Sequence, residues 1–554
     1  MKRRTMLRQL SMAVPAMYMG SQLSPEWLTA FPGPGEPMAK GPFAPDWKSL
    51  QQYQVPDWFR DAKFGIWAHW GAQCQPEFGD WYARSMYIEG SRVYKYHVEK
   101  YGHPSKFGFK DVINEWKADK WDPEELVALY KNAGAAYFMA MANHHDNFDN
   151  YNSKYHRWNS VNLGPKKDII GGWAKAARNN NLRFGVSVHA AHAPIFYEQS
   201  RNADKAGAFA GVPYDGVINK KQGKGTWWEK YDPQDLYEQR GERSVGSEKE
   251  DHIHNQWGWE NGATKLSKAY CEKFYNRTVD LINKYDPDLI YFDDTALPLW
   301  PVSDAGLRIA AHFYNRSISK RGKLDVVING KILNEEQRKC MVWDIEKGQS
   351  NNIEPLPWQT DTCIGSWHYD RPRYEQKRYK TTKSVIHALA DVVSKNGNLM
   401  LNIPVRGDGS IDDLERKIVE EISVWMKVNS EAIYGTRPWT VFGEGPAIKD
   451  VAPLSAQGFN EGKGKPFTAQ DVRFTVKGNI LYAFLMGWPG ENEARIESLG
   501  YLSKLINGKK VGKVSLLGYK GELVWQQLAD YLGVKMPLTA PCDHAVVLKI
   551  EGLL

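Results

Sequence analysis

The stretch "DPEELVALYKNAGAAYFMAMANHHD", residues 122–146, decides the fold, because a helix signal leads directly into a strand signal. Asp122 is a typical helix-capping residue, Pro123 suits the first turn, and Gly134 ends the helix. Residues 135–143 are then almost continuously apolar, which is typical of a buried strand. Polar residues follow that strand at once. The stretch therefore predicts one repeat of alternating helix and strand.

The same alternation continues along most of the chain. Strand-like runs lie at 63–70, 182–190, 288–294, 324–330, 340–346 and 398–405, and helix signals lie at 168–181, 264–285, 381–395 and 412–429. Seven or eight such repeats favour a (β/α)₈-like, TIM-type barrel over a small open sheet. No glycine motif of a nucleotide-binding fold opens any of these helices. A long insertion at 195–260 is expected to shape a binding mouth.

Composition narrows the class of ligand. The net charge is +7 on 554 residues, with no dense basic block beyond the N-terminus, which argues against nucleic-acid binding. The chain has 22 Trp and 28 Tyr, whose flat faces stack well on sugar rings. Five scattered cysteines without a CxxC pair argue against a zinc finger or a disulfide scaffold: Cys74, Cys271, Cys340, Cys363 and Cys542.

The two ends of the chain differ from the barrel. Arg3 and Arg4 precede a short Ala- and Met-rich stretch, which fits a twin-arginine export signal, although a basic tail would look similar. That stretch is too short and polar to span a membrane. We predict an export signal at 1–30, a Pro- and Gly-rich linker at 31–45, the α/β barrel at 46–438 and an all-β sandwich at 439–554. The protein is then periplasmic or extracellular.

Polar residues cluster where the predicted strands end. They are His69 and Trp70; His144, His145 and Asp146; His189 and His192; Asp293 and Asp294; and Asp344 and Glu346. The carboxyl ends of barrel strands converge on one mouth, where active sites lie. A metal centre fits this set poorly, because adjacent strand residues point to opposite faces and no HxH or HExxH pattern is present. A glycosidase needs paired carboxylates with aromatic and hydrogen-bonding neighbours, which the set supplies.

Several motifs occur in an order that carries a family resemblance. They are "KFGIWAHWG" (63–71), "NHHDNFDNYNSKY" (143–155), "LRFGVSVH" (182–189), "PDLIYFDD" (287–294) and "PWQTDTCIGSWHY" (357–369). Together they resemble the α-L-fucosidases of glycoside hydrolase family 29, over about residues 55–440. The resemblance implies a retaining exo-hydrolase of fucosylated glycans with a TIM-type barrel, a C-terminal β-sandwich and neither a metal nor another cofactor.

The resemblance also implies catalytic roles. Asp293 matches the family nucleophile, and Asp294 stands where many members have glycine. Glu346 matches the acid/base, with Glu354 as the fallback. Gln359 occupies a position where many members have a glutamate, and an amide cannot exchange a proton in that role.

Further positions match residues that hold the sugar. Histidine can donate from one ring nitrogen and accept at the other, which suits neighbouring hydroxyl groups. The predicted substrate-binding residues are His69, Trp81, Tyr82, His144, His145, His189, Trp358 and Trp367. His189 departs from the family pattern. An α-L-galactosidase acting on an algal polysaccharide by the same mechanism therefore stays open, as does a non-catalytic carbohydrate-binding barrel. The sequence assigns no oligomeric state.

Overall fold

The computed structural model describes residues 35–247, 249, 252–255, 257–449, 453–454, 458–489 and 493–554. The predicted export signal at 1–30 lies outside the described residues. Within the described ranges, none of the helices combines the length and apolarity that crossing a bilayer requires.

A closed barrel of parallel strands forms the larger part of the described chain. Its strands are β1 (Phe64–Ala68), β2 (Tyr137–Asn143), β3 (Arg183–Val188), β4 (Leu289–Thr295), β5 (Val327–Lys331), β6 (Val342–Glu346), β7 (Trp358–Cys363) and β8 (Gly397–Asn402). Each strand pairs with the next, and β8 pairs with β1 to close the barrel. Nearly all strand residues are buried, because helices cover the outside and side chains fill the inside. The predicted TIM-type barrel is confirmed.

The α-helices surround this barrel. They are α1 (Trp47–Leu50), α2 (Asp57–Ala62), α3 (Tyr82–Ser85), α4 (Arg92–Tyr101), α5 (Phe109–Glu115), α6 (Pro123–Asn132), α7 (Ile169–Asn179), α8 (Ala193–Phe196), α9 (Pro233–Tyr237), α10 (His252–Asn255), α11 (Lys268–Tyr285), α12 (Ala305–Arg321), α13 (Arg371–Glu375), α14 (Thr382–Ser394) and α15 (Asp413–Asn429). As predicted, Asp122 caps α6 by accepting from Glu125 N. Residues 347–357, all described, join β6 to β7 without an α-helix.

Two antiparallel sheets follow the barrel. Their strands are β9 (Arg437–Glu444), β10 (Val472–Lys477), β11 (Ile480–Leu485), β12 (Glu493–Ile496), β13 (Lys513–Leu516), β14 (Val524–Gln527), β15 (Leu532–Lys535) and β16 (Val546–Glu551). One sheet has the order β13-β16-β11-β10-β9 and the other β12-β15-β14. Phe474 and Leu485 of the first sheet share one apolar cluster with Ile496 and Val534 of the second. The predicted β-sandwich is confirmed.

The described part of the predicted linker is anchored to the barrel. Glu36 N donates to Asn276 Oδ1 on α11 at 2.7 Å. Phe43 N donates to Asn315 Oδ1 on α12 at 2.9 Å, and the Asn315 amide returns a bond to the Phe43 carbonyl at 2.8 Å. Residues 36–43 therefore lie along two barrel helices, and hydrogen bonds from their backbone to asparagine side chains hold them there.

Candidate active site

A cavity of about 320 Å³ opens at the carboxyl ends of the barrel strands. Its lining includes His69 after β1, His144 after β2, His189 after β3, Asp293 in β4, Lys331 at the end of β5 and Glu346 at the end of β6. The strand-end argument thus located this mouth correctly, because parallel strands present their carboxyl ends on one side of a closed barrel.

Lys331 joins the two carboxylates that the sequence selected for catalysis. Its ammonium Nζ lies 2.8 Å from Asp293 Oδ1 and also donates to Glu346 Oε2. All three side chains line the cavity and are largely shielded from solvent. Lys331 ends β5, which lies between β4 with Asp293 and β6 with Glu346. One buried cation therefore contacts both carboxylates.

The surroundings separate the proton affinities of these carboxylates. Burial raises the pKa of Glu346 to about 7; the negative charges of Asp361 and Asp293 add to this, while Lys331 opposes it. Burial would also raise the pKa of Asp293, but the Lys331 charge and hydrogen bonds from His145 and His189 bring it well below its usual value. Asp293 is therefore ionised at a pH where Glu346 still holds a proton. A nucleophile and a proton donor need this difference.

A second carboxylate pair lies beside Lys331. Burial raises the pKa of both Asp344 and Asp361. Tyr291 donates to Asp361 Oδ2 at 2.7 Å, and Gln359 Nε2 donates to Asp344 Oδ2 at 2.8 Å. Gln359 occupies the position where many family members have a glutamate. Its side chain is buried in the barrel and orients Asp344. The negative charge of Asp361 favours the proton on Glu346.

Two histidines hold Asp293 from the other side. His145 Nε2 lies 3.1 Å and His189 Nδ1 lies 3.2 Å from Asp293 Oδ2. His145 Nδ1 also donates to the His189 carbonyl at 2.7 Å, which fixes its ring. His145 therefore contacts Asp293 and lies outside the cavity lining, whereas the sequence predicted that it binds the sugar. Both histidines follow the last residue of β2, and of the two only His144 lines the cavity.

His69, His144 and His189 all line the cavity. The Gln73 amide donates to His144 Nδ1 at 2.9 Å, which leaves the Nε2 of the neutral ring as a donor. Burial lowers the pKa of His69 and His144 well below the usual value, so both rings are neutral. Within the described residues, neither His69 Nδ1 nor His189 Nε2 has a hydrogen-bond partner. Buried polar atoms of this kind fit hydroxyl groups of a ligand.

Aromatic rings form the walls of the cavity. Trp81 stacks on His254 with 5.2 Å between ring centroids, and Trp257 stacks on His192 at 4.1 Å. His254 and Trp257 belong to the long insertion at 195–260, which shapes the mouth as expected. Trp367 lies 5.5 Å from Trp67, and both line the cavity. These flat surfaces suit a sugar ring.

Three predicted site residues lie elsewhere. Tyr82 is buried and its hydroxyl bonds to His97 Nδ1 at 2.8 Å. Trp358 is the first residue of β7, at the barrel end opposite the cavity, and its Nε1 donates to the Lys395 carbonyl at 2.9 Å. Glu354 accepts from Ser350 and Arg338, outside the cavity lining. The prediction that Tyr82 and Trp358 bind substrate is therefore corrected to core packing, and the geometry favours Glu346 over Glu354.

The other acidic residues of the strand ends serve the scaffold. Asp294 is buried and lies 3.0 Å from His192 Nε2, because it follows Asp293 on the strand and turns to the opposite side. Asp149 pairs with Arg277 at 2.7 Å, and both side chains are buried. Asp149 thus fixes the loop after β2, while Asp293 faces the cavity.

Sequence reasoning missed several lining residues. Lys331 directly follows the run predicted as a strand at 324–330, so the strand-end rule could have found it. Asp361 belongs to β7, whose polar sequence "WQTDTC" gave no strand signal. Phe459 arrives from the segment before β10, far along the chain, and no local pattern indicates it.

The histidine cluster also has metal-binding potential. Among the described residues, one group of buried imidazoles is His69, His144 and His368, and another is His144, His145 and His189; in each, one ligand atom per residue lies within 4.8 Å of the others. In the second group both nitrogens of His145 already have hydrogen-bond partners, so an ion there would displace one of them. The absence of a metal cofactor stays a prediction, tested below.

Comparisons with known proteins agree with this geometry. A family model described as alpha-L-fucosidase matches residues 34–431, and a model for the alpha-L-fucosidase C-terminal domain matches residues 465–551. Tissue alpha-L-fucosidase of Rattus norvegicus is 26% identical over 524 residues, covering 92% of both chains. Plasma alpha-L-fucosidase of Homo sapiens is 26% identical over 521 residues, covering 92% of this chain and 91% of its own.

Solved structures give the same result. The crystal structure of the Thermotoga maritima alpha-fucosidase in complex with a mechanism-based inhibitor aligns with a TM-score of 0.66 at 25% identity. The alignment covers 92% of this chain and 100% of that one. These similarities do not favour the L-galactosidase or the non-catalytic barrel that the sequence left open.

Proposed function

The chain belongs to the α-L-fucosidases of glycoside hydrolase family 29, and on that premise we propose that it releases terminal α-L-fucose from glycans by double displacement, with retention of anomeric configuration. Asp293 is the nucleophile and Glu346 the acid/base. His69, His144 and His189 bind the hydroxyl groups of the fucose.

The shared contact of Lys331 carries the proposal. Because one ammonium touches both carboxylates, the two contacting oxygens lie no farther apart than about 6 Å, twice the length of a charge-assisted hydrogen bond. Retaining glycosidases separate their carboxyl groups by about 5–5.5 Å, whereas inverting enzymes need about 6.5–9.5 Å to admit a water molecule. The spacing therefore supports direct attack by a carboxylate.

The reaction then proceeds in two steps. Asp293 attacks the anomeric carbon, the glycosidic C–O bond breaks, and the proton of Glu346 passes to the departing oxygen. Glu346, now ionised, takes a proton from water as that water attacks the anomeric carbon and releases Asp293. The raised pKa of Glu346 suits the first step, and the lowered pKa of Asp293 keeps the nucleophile charged.

Product stereochemistry tests the mechanism. The first product of an aryl α-L-fucoside, followed by NMR before mutarotation, is expected to be α-L-fucose; β-L-fucose would contradict double displacement. Asp293→Ala is expected to lower turnover by roughly 10³-fold or more. Added azide should restore turnover and give β-L-fucosyl azide, because a small anion can replace the missing carboxylate. The matched control Asp294→Asn changes a carboxylate outside the cavity lining and should retain activity.

We also propose that the protein is exported to the periplasm or beyond. The paired arginines Arg3 and Arg4 ahead of a short Ala- and Met-rich stretch support this proposal. Fractionation of cells expressing the full chain and an Arg3→Lys, Arg4→Lys double variant tests it. We expect the full chain to be exported and the double variant to remain in the cell. Equal export of both chains would contradict a twin-arginine route.

A further inference from the structure

Two large apolar side chains stand exposed at the mouth of the cavity. Phe459 is 61% and Ile332 is 51% exposed, and both line the cavity. Both residues also adopt left-handed backbone conformations, with φ of 52° and 53°. Such a conformation is a genuine outlier for a β-branched residue like isoleucine, and backbone strain of this kind collects at binding sites.

Backbone hydrogen bonds connect Phe459 to the strand that carries Glu346. Its backbone N–H donates to the Glu346 carbonyl at 2.7 Å, and Glu461 N donates to the Lys347 carbonyl at 2.9 Å. Gly458, with φ of 128°, brings the backbone so close that an added Cβ would lie 3.3 Å from the Glu346 carbonyl oxygen. The exposed ring is therefore anchored by its backbone, which lowers the entropic cost of using it as a binding surface.

Both residues are connected to Glu346 through the backbone or a neighbouring residue. Phe459 is bonded to the backbone of Glu346, and Ile332 follows Lys331, whose ammonium contacts the Glu346 carboxylate. A proton donor must reach the glycosidic oxygen, so the group attached beyond that oxygen lies next to Glu346. The two apolar side chains consequently lie on the leaving-group side of the cavity.

We propose that Phe459 and Ile332 form an apolar platform for the sugar that leaves during hydrolysis, a pyranose that packs its C–H face against them. Pyranose rings carry such a face, and aromatic side chains pack well on it. The inference rests on the proposed function, since it assumes that Glu346 protonates the leaving oxygen. The sandwich-domain segment that carries Phe459 would thus select the glycan, while the barrel holds the fucose.

Paired substrates test the platform. kcat/KM is measured for an α-L-fucosyl-pyranose disaccharide and for α-L-fucosyl fluoride, whose leaving group cannot reach the platform. The ratio of disaccharide to fluoride is expected to fall about tenfold in Phe459→Ala, and by a smaller factor in Ile332→Ala. Phe459→Tyr, which keeps an aromatic face, should preserve the ratio. Tyr501→Ala removes a 51% exposed ring elsewhere in the sandwich domain and is the matched control.

The outcomes separate the platform from the proposed function. A ratio that stays at the wild-type value in both alanine variants overturns the platform. If kcat/KM falls equally for the disaccharide and the fluoride, the substitution acts through the Glu346 backbone alone, which also overturns the platform. Failure of the wild-type protein to cleave either α-L-fucoside overturns the proposed function and this inference with it.

Discussion

The ammonium of Lys331 lies 2.8 Å from the Asp293 carboxylate, and this contact places a permanent positive charge beside the proposed nucleophile. The same ammonium contacts Glu346, so one side chain influences the pKa values of both carboxyl groups. Lys331 itself stays charged, because burial disfavours its charge but the surrounding carboxylates raise its pKa well above the usual value. Lys331 is therefore a positioning residue whose removal should move the whole pH profile.

Lys331→Met should shift the pH dependence of kcat/KM upward. Without the positive charge, the pKa of Asp293 rises, so the nucleophile becomes ionised only at higher pH, and the pKa of Glu346 rises in the same direction. A shift of the acidic limb by about one to three pH units is expected, the usual effect of a nearby opposite charge. Lys331→Arg keeps the charge and should shift the profile less. An unshifted profile in the methionine variant would contradict this role.

Glu346 should determine the basic limb of the pH profile of kcat/KM. Because its pKa is raised to about 7, the carboxyl is protonated below that pH and loses its proton above it, so kcat/KM should fall as the pH rises through about 7. Glu346→Gln should abolish this limb and lower kcat by about 10²- to 10⁴-fold for poor leaving groups. For aryl fucosides with acidic phenols, the rate of the first step should fall less in this variant.

Glu354→Gln is the matched control for that experiment. Glu354 is also partly buried, but it accepts hydrogen bonds from Ser350 and Arg338 outside the cavity lining. The control should retain the basic limb and most of the activity. Loss of the limb in Glu354→Gln, with retention in Glu346→Gln, would reverse the assignment of the acid/base.

Metal chelation should leave activity unchanged. Dialysis against EDTA is expected to alter turnover of an aryl α-L-fucoside by less than about twofold, since both reaction steps use carboxylates. Added zinc should inhibit competitively with respect to the aryl α-L-fucoside. The neutral rings of His69 and His144 would then bind the ion in place of sugar hydroxyls. If chelation lowers turnover and added zinc restores it, a metal takes part in the reaction.

Asp149→Ala should destabilise the fold rather than alter the chemistry. It leaves Arg277 buried without its 2.7 Å carboxylate partner, and breaking a buried pair in this way costs about 3–5 kcal/mol of unfolding free energy. Urea denaturation measures this change. Asp57→Ala removes an exposed carboxylate near Arg60 and should change the stability by less than about 1 kcal/mol. Equal stabilities of the two variants would contradict the structural role of Asp149.

Much of the site could be predicted from where strands end. His69, His144, His189, Asp293 and Glu346 all follow or finish an apolar run, and all line the cavity. The rule failed for Trp358, which begins a strand instead of ending it. The strand β7 was not recognised, because its inward-facing residues are polar and obscure the apolar pattern that a buried strand usually shows.

The sequence by itself determined the alternation of helices and strands apart from β7, the barrel, the following sandwich and the end of the barrel at which the cavity opens. Those properties depend on burial patterns that repeat over a few residues, and such patterns are local. Only the tertiary structure decided that His145 holds Asp293 while His144 faces the cavity, that Lys331 joins two carboxylates, and that Phe459 reaches the mouth from the sandwich domain. Barrel closure and domain packing bring distant residues within hydrogen-bonding distance, and no local pattern encodes a contact of that kind.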